Sequence, residues 1–112
     1  MSRRPYVPER GDLAWLSFHP QAGREQTGHR PALILSPLEY NRAVGLAVVC
    51  PITNRAKGYP FEVALPPDLE VTGVVLADHV KSLDWRARRA RRAGSAPSSV
   101  MAEVLGKLHA LL

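Results

Sequence analysis

The chain has 112 residues, a length typical of one domain, and its 46% hydrophobic and 22% charged residues are those of a globular protein. Its formal net charge of +5 favours polyanionic partners such as nucleic acid but defines no chemistry. A single cysteine excludes an intrachain disulfide, and no stretch approaches the ~20 apolar residues of a membrane-spanning helix. The amino terminus also lacks the apolar run of a signal peptide. We therefore expect a cytoplasmic protein without membrane contact.

The first two thirds of the chain consist of short apolar segments separated by glycine and proline. In chain order they predict a strand at Asp12–Phe18, a polar loop or hairpin arm at His19–Gly28, a strand at Pro31–Ser36, a turn or single helical turn at Pro37–Asn41, and strands at Gly45–Cys50, Pro60–Leu65 and Val71–Ala77. Many short strands with this punctuation are typical of a small barrel.

The carboxy-terminal segment has a different period. Apolar residues recur at helical spacing from Val100 to Leu112, and Pro97 suits the start of a helix because its missing N–H is not needed there. We expect this helix to close one end of the barrel. No internal repeat or second domain is evident, so residues 1–112 are predicted to form one domain.

The sequence offers no metal or cofactor motif. The four histidines (His19, His29, His79 and His109) show no ligand spacing, and one cysteine cannot build a thiolate site. Cys50 follows Ala47-Val48-Val49 and is interpreted as a buried strand thiol. No Gly-rich phosphate loop or nucleophile elbow is present. No cofactor and no metal are therefore expected.

Six short motifs follow one another in a fixed order. They are Gly11-Asp12-Leu13, Gly28-His29-Arg30-Pro31-Ala32, Leu35-Ser36-Pro37, Pro51-Ile52-Thr53, Lys57-Gly58-Tyr59-Pro60-Phe61-Glu62-Val63 and Ala77-Asp78-His79-Val80-Lys81-Ser82. Each alone is weak, but in this order and spacing, from about Tyr6 through Arg88, the chain resembles the MazF/PemK toxins.

The resemblance implies a mainly β fold, an SH3-like barrel of the MazF/PemK/CcdB type with a C-terminal α-helix, and a symmetric homodimer. It implies a sequence-specific endoribonuclease (an mRNA interferase) that cleaves single-stranded RNA without metal and so inhibits translation. It further implies a cognate antitoxin, and an acidic, partly disordered peptide would suit a positively charged groove.

The resemblance assigns the catalytic roles to Arg30 and Thr53. Attack by the ribose 2′-OH needs a proton acceptor, stabilisation of the phosphorane charge and a proton for the leaving oxygen. The products would carry a 2′,3′-cyclic phosphate and a 5′-hydroxyl. A guanidinium holds its proton firmly and is a poor proton acceptor, so Arg30 is assigned to charge stabilisation. Without the motifs, both residues would be interpreted as ordinary surface and strand residues.

Four further side chains are candidate acid, base or orienting groups: Glu25, Asp78, His29 and His79. His79 departs from the family pattern, in which glutamine is usual after the aspartate. An imidazole there is a side chain that can donate or accept a proton, although a solvated or core histidine is the competing interpretation. Leu76 is a second departure, because some members have an arginine two residues before the aspartate. A mechanism that depends on that arginine does not carry over.

The candidate RNA-binding residues are Lys57, Tyr59, Lys81, Ser82, Trp85, Arg86 and Arg88. Arg86 and Arg88 belong to a dense cluster with Arg89, Arg91 and Arg92, and Trp85 is predicted to stack on a base. The competing interpretation of the cluster is a solvated basic edge that discourages strand pairing.

Two other functions compete with RNA cleavage. A protein of the same fold can act by binding a protein target such as DNA gyrase, and a non-catalytic RNA-binding protein would share the positive charge. Fold alone does not separate them. Arg30 and Thr53 in their motif context favour the nuclease.

Overall fold

The computed structural model of the chain describes residues 5–18 and 28–112. The predicted loop at residues 19–27 and the candidate carboxylate Glu25 lie outside the described residues. In the described part, the elements are β1 (Asp12–Phe18), β2 (Gly28–Ile34), α1 (Leu38–Val44), β3 (Leu46–Thr53), β4 (Glu62–Ala64), β5 (Val74–Leu76), β6 (Lys81–Asp84), β7 (Arg91–Ser95) and α2 (Ser98–Leu111).

All strand pairings are antiparallel, and they follow the order β4-β5-β3-β2-β1-β7, with β6 also paired to β3. Strand β3 is the centre of the fold because its eight residues pair with β2, β5 and β6. In the part of the chain that the structure describes, β4 and β7 are not paired to each other, so the sheet does not close. The predicted mainly β fold with a C-terminal helix is confirmed, and the SH3-like barrel is consistent with it.

The strands bury apolar side chains on both faces, in two separate clusters. On β3, Cys50 enters one cluster while Val49 enters the other, and Leu33 and Ile34 divide in the same way on β2. This division follows from the alternation of side chains along a strand. The first cluster is covered by α2, through Val100 and Val104. The second contains Trp85.

The strands built from apolar residues were predicted, and two polar strands were not. β6 is Lys-Ser-Leu-Asp and β7 is Arg-Arg-Ala-Gly-Ser, so neither has the β-branched and aromatic content on which strand prediction depends. They form because β3 and β1 supply backbone partners. β2 also begins at Gly28 rather than at Pro31, and α1 has seven residues rather than a single turn.

The C-terminal helix begins directly after Pro97, as predicted. Its apolar stripe is only partly covered by this chain: Val100 and Val104 are buried, whereas Leu105, Leu111 and Leu112 are exposed. Among the described residues, no helix is both long enough and apolar enough to cross a membrane.

Candidate active site

An open groove of about 510 Å³ lies where β2, β3 and β6 meet. Its described lining contains Leu16, Arg30, Pro31, Ala32, Val49, Pro51, Ile52, Thr53, Leu76, Lys81 and Leu83. The pairing register of β2 and β3 explains why Arg30 and Thr53 lie next to each other in this groove. Ala32 of β2 lies opposite Pro51 of β3, so Arg30 and Thr53, each two residues further along, lie on the same face. The two predicted catalytic residues therefore line one groove.

A second compartment of about 420 Å³ continues this groove and shares Thr53 and Leu76 with it. Its other described lining residues are Arg55, Lys57, Tyr59, Glu62 and His79. Thr53 thus lies between the two compartments, with Arg30 on one side and His79 on the other. The predicted RNA-binding residues Lys57, Tyr59 and Lys81 all line this continuous groove.

Arg30 is exposed, and no carboxylate or other hydrogen-bonding group of the described residues pairs with its guanidinium. Lys81, opposite Val49 on the same face, is likewise exposed and without an ion pair in the described chain. Arginine presents a planar fork that matches two phosphate oxygens. The groove therefore offers positive charge that the described part of the protein does not neutralise.

Thr53 is held in place by its neighbours. Its Oγ1 accepts the backbone N–H of Arg55 at 3.1 Å, which leaves the hydroxyl hydrogen available for donation to a ligand. On the other side, a Cβ on Gly73 would lie 2.3 Å from the backbone oxygen of Thr53, and Gly73 has a φ of +116°. Gly73 therefore permits a close approach of the chain before β5 to Thr53. This role was not predicted, although a lone glycine before a strand is its signal.

The loop of residues 57–60 is anchored by Glu62. The Glu62 carboxylate accepts the backbone N–H groups of Lys57, Gly58 and Tyr59 at 2.9, 3.1 and 3.3 Å. Lys107 of α2 donates to the backbone oxygen of Pro60 at 2.7 Å. Sequence reasoning missed Glu62, and its signal is that it lies within the motif that runs from Lys57 to Val63.

Asp78 lies behind the groove and orients Tyr59. The Tyr59 hydroxyl donates to Asp78 Oδ2 at 2.8 Å, and this hydrogen bond, together with the Asp78 charge, raises the pKa of Tyr59. Asp78 Oδ1 is buried and has no hydrogen-bond partner among the described residues, and it lies 3.8 Å from His79 Nε2. Of the two, only His79 lines the groove.

Cys50 is buried in the first core cluster, and its thiol donates to the Ala77 backbone oxygen at 3.7 Å. Burial, and then the charge of Asp78, raise the pKa of Cys50 to about 11. The predicted burial of this thiol is confirmed, and the raised pKa keeps it protonated at neutral pH, as suits a structural cysteine.

The remaining site candidates do not line the described groove. His29 alternates with Arg30 on β2 and so lies on the opposite face, and Ser82 alternates with Lys81 on β6. The prediction that Trp85 stacks on a base is wrong. Trp85 is 3% exposed, and its Nε1 donates to the Asn41 backbone oxygen at 2.9 Å.

Arg86 and Arg88 lie in the turn after β6. The Arg86 guanidinium lies 4.9 Å from the centre of the Trp85 ring, and Arg88 Nη1 donates to the Ser17 backbone oxygen at 3.5 Å. Neither lines the groove. Within residues 5–18 and 28–112, no group of three or more His, Cys, Asp or Glu side chains is placed to hold a metal ion.

Comparison with known proteins gives one consistent result. Residues 9–112 match the family model described as PemK-like, MazF-like toxin of type II toxin-antitoxin system. The chain is 47% identical over 107 residues to the endoribonuclease toxin MazF of Escherichia coli strain K12, covering 96% of each chain. It is 40% identical over 114 residues to the Escherichia coli endoribonuclease PemK, covering 98% of this chain and 86% of PemK. A crystal structure of MazE-MazF from Deinococcus radiodurans superposes with a TM-score of 0.92 at 63% identity, covering 95% of this chain and 96% of the other.

Proposed function

The chain belongs to the PemK-like, MazF-like toxin family of type II toxin-antitoxin systems, and from that premise we propose that it is an endoribonuclease toxin that cleaves single-stranded RNA at short sequence motifs. The observation that carries the proposal is the placement of Arg30 and Thr53 on the same face of two paired strands, lining one groove. The two Escherichia coli relatives, MazF and PemK, bear the name endoribonuclease, which favours this activity over the gyrase-binding alternative.

The proposed chemistry uses the substrate's own nucleophile. The ribose 2′-oxygen attacks the adjacent phosphorus as its proton passes to an acceptor. The bond from phosphorus to the 5′-oxygen then breaks, and that oxygen takes up a proton. Arg30 stabilises the negative charge that develops on the phosphorane, and the Thr53 hydroxyl donates to one of its oxygens. One product ends in a 2′,3′-cyclic phosphate and the other begins with a 5′-hydroxyl.

Of the four candidate acid or base groups, the geometry favours His79. It lines the compartment that shares Thr53 with the Arg30 side of the groove, and the carboxylate of Asp78 lies beside its imidazole. Asp78 itself is turned toward Tyr59, which suits an orienting role. His29 faces away from Arg30 on its strand. We therefore assign proton transfer to His79 and orientation to Asp78.

The substrate is bound by the cations and the aromatic ring of the groove. Lys57 and Lys81 are exposed along its two compartments, and Tyr59 is 45% exposed beside Phe61, with their ring centres 5.9 Å apart. Phosphate contacts and base stacking are the sequence-tolerant part of single-stranded RNA binding. Arg55, which sequence reasoning missed, adds a further cation two residues after Thr53.

The proposed homodimer rests on exposed apolar side chains, and the proposed inhibition by an antitoxin rests on the charge of the groove. We assign a symmetric homodimer to the chain because apolar side chains on both helices, such as Val44 and Leu111, are half exposed. We assign inhibition to an acidic antitoxin, since relatives are seen as MazE-MazF complexes and the groove cations have no carboxylate partners in the described chain. One domain over residues 1–112, acting in the cytoplasm, completes the proposal. Light scattering at micromolar concentration should give twice the 12.3 kDa chain mass, and a monomer mass would contradict the dimer.

The function is tested by incubating the purified protein with a long single-stranded RNA in excess EDTA and mapping the new ends. We expect discrete cuts at a short shared motif, with a 2′,3′-cyclic phosphate on one product, and cleavage slower by about 10²- to 10³-fold with Arg30→Ala. An RNA that is bound but not cut would favour the non-catalytic binding protein. An RNA that is neither bound nor cut would favour a protein target.

A further inference from the structure

A positively charged surface lies outside the groove, in the turn that joins β6 to β7. We call it the arginine turn, residues 84–91, which includes the last residue of β6 and the first residue of β7. Arg86, Arg89 and Arg91 are exposed, and no carboxylate within the described ranges forms an ion pair with any of them. By contrast, Arg92 pairs with Asp12 at 3.4 Å. The unneutralised charge is therefore concentrated in the turn itself.

The arginine turn is held by a network of hydrogen bonds. Asp84 Oδ1 accepts the backbone N–H groups of Arg86 and Ala87 at 3.1 and 2.9 Å. Three backbone hydrogen bonds, from Arg88 to Asp84, from Arg89 to Arg86 and from Ala90 to Trp85, close it further. The turn thus has a defined backbone, so that ordering its arginines on a ligand costs less conformational entropy than it would in a loose loop.

Two of these arginines share one shallow depression. It has a volume of about 290 Å³, and its described lining contains Pro5, Tyr6, Trp85, Arg86, Arg89 and Ala90. Arg86 lies over the buried Trp85 ring, which fixes its guanidinium. Arg89 has a φ of +52°, a conformation that favours glycine or asparagine, yet it carries a long cationic side chain at the tip of the turn.

Strand β6 connects this surface to the groove. Lys81 at its start lines the groove, and Arg86 lies five residues further along the chain. β6 ends at Asp84, so Lys81 and Arg86 are joined by a strand rise of about 10 Å, at about 3.3 Å per residue, and by two residues of the turn. A single strand of RNA that leaves the groove past Lys81 can cover this distance with a few nucleotides.

We propose that the arginine turn is a second RNA-binding surface, which holds the phosphate backbone of the substrate outside the catalytic groove. This inference rests on the proposed nuclease function and adds a prediction of its own: long RNAs are bound more tightly than RNAs that fill only the groove. The contacts are to phosphate, so they carry charge but no sequence specificity.

The test compares two substrates, the shortest RNA that the parent protein cleaves and the same RNA extended at both ends. Arg89→Gln should raise KM about threefold for the extended RNA, leave KM for the short RNA unchanged, and lower the salt dependence of binding to the extended RNA by about 0.7 in log–log slope. Arg89→Lys should retain most of the parent KM. Ala102→Glu makes the same change in net charge on the exposed surface of α2 and should leave the difference between the two RNAs intact.

The outcomes separate the two proposals. If the parent cleaves no single-stranded RNA of any length, so that no shortest substrate exists, the nuclease function is wrong. If the parent cleaves both and Arg89→Gln has the parent KM for both, the second surface is wrong. A loss of affinity for an acidic antitoxin peptide, with RNA binding unchanged, would also overturn it in favour of a protein interface.

Discussion

Two polar regions of this molecule differ in whether their hydrogen-bonding groups are paired. Around the fully buried Asn41, every polar atom has a partner: its Nδ2 donates to the backbone oxygens of Pro8 and Ser36, its Oδ1 accepts the Ser36 hydroxyl, and its backbone oxygen accepts Trp85 Nε1. In the groove, Arg30 and Lys81 have no partner among the described residues. Buried polar groups must be paired internally, whereas exposed and unpaired cations remain available to a ligand.

The contrast separates polar residues that hold the fold from those that serve the reaction. The Asn41 cluster joins α1 to the amino-terminal segment at Pro8, to Ser36 before the helix and to Trp85, so its loss should be measured as stability. The groove cations contribute little to folding because they are exposed and unpaired, so their loss should be measured as activity. Glu62 and Thr53 lie between the two classes, since each has partners in the fold and also lines the groove.

The largest effect is expected at Arg30. Arg30→Ala should lower kcat by about 10²- to 10³-fold, because it removes a charge that stabilises the transition state. The free energy of unfolding, measured by urea denaturation, should stay within about 0.5 kcal/mol of the parent value. Parent-like cleavage by this variant would remove Arg30 from the mechanism.

The opposite result is expected at Asn41. Asn41→Ala should lower the free energy of unfolding by about 3 kcal/mol, because it leaves the oxygens of Pro8 and Ser36 buried without donors. Asn54→Ala is the matched control, since Asn54 is exposed and accepts one hydrogen bond, from Thr72. Equal urea midpoints for the two variants would show that the Asn41 cluster is not the structural centre we take it to be.

A smaller effect is expected at Thr53. Thr53→Val keeps the shape of the side chain but removes the hydroxyl, and it should lower kcat about tenfold, the worth of one hydrogen bond to a charged group. Thr72→Val, an exposed threonine whose hydroxyl donates to Asn54, should leave kcat unchanged. The Thr53 role would be refuted by equal kcat values for both variants.

The smallest effect is expected at Glu62, where the direction of the change in KM distinguishes two roles of the side chain. Glu62→Ala should raise KM about threefold, because the loop of residues 57–60 loses three anchoring hydrogen bonds. Removal of a negative charge from the groove would by itself tighten RNA binding. A lower KM would therefore refute the anchoring role, and Glu70→Ala, an exposed glutamate outside the groove, controls for net charge.

Much of the fold follows from local sequence, and the parts that do not are polar. β1 and β3 are predictable from their leucine and valine content, and α2 from its period and Pro97. β6 and β7 have polar sequences, and they become strands only because β3 and β1 supply their partners. No local pattern indicates a partner that is distant in sequence.

The candidate site also divides into residues that local motifs predict and residues whose roles depend on distant contacts. Arg30, Thr53, Lys57 and Lys81 belong to short motifs, and they line the groove as expected. Trp85 was assigned to RNA because it adjoins an arginine cluster, but its indole is directed into the core by contacts with α1. Gly73 and Glu62 were missed because both act on the backbone. Gly73 permits a close approach to the backbone oxygen of Thr53, and Glu62 accepts backbone N–H groups, and neither contact can be read from residue types alone.

The central claim is that this groove cleaves RNA through the substrate's 2′-hydroxyl. The most direct measurement uses an oligonucleotide cut by the parent protein and a copy with a single 2′-deoxy sugar at the scissile position. We predict that the deoxy copy binds with the same affinity, since phosphate and base contacts are intact, and that it is not cut at that bond. Efficient cleavage of the deoxy copy at the same bond would require another nucleophile and would contradict the account.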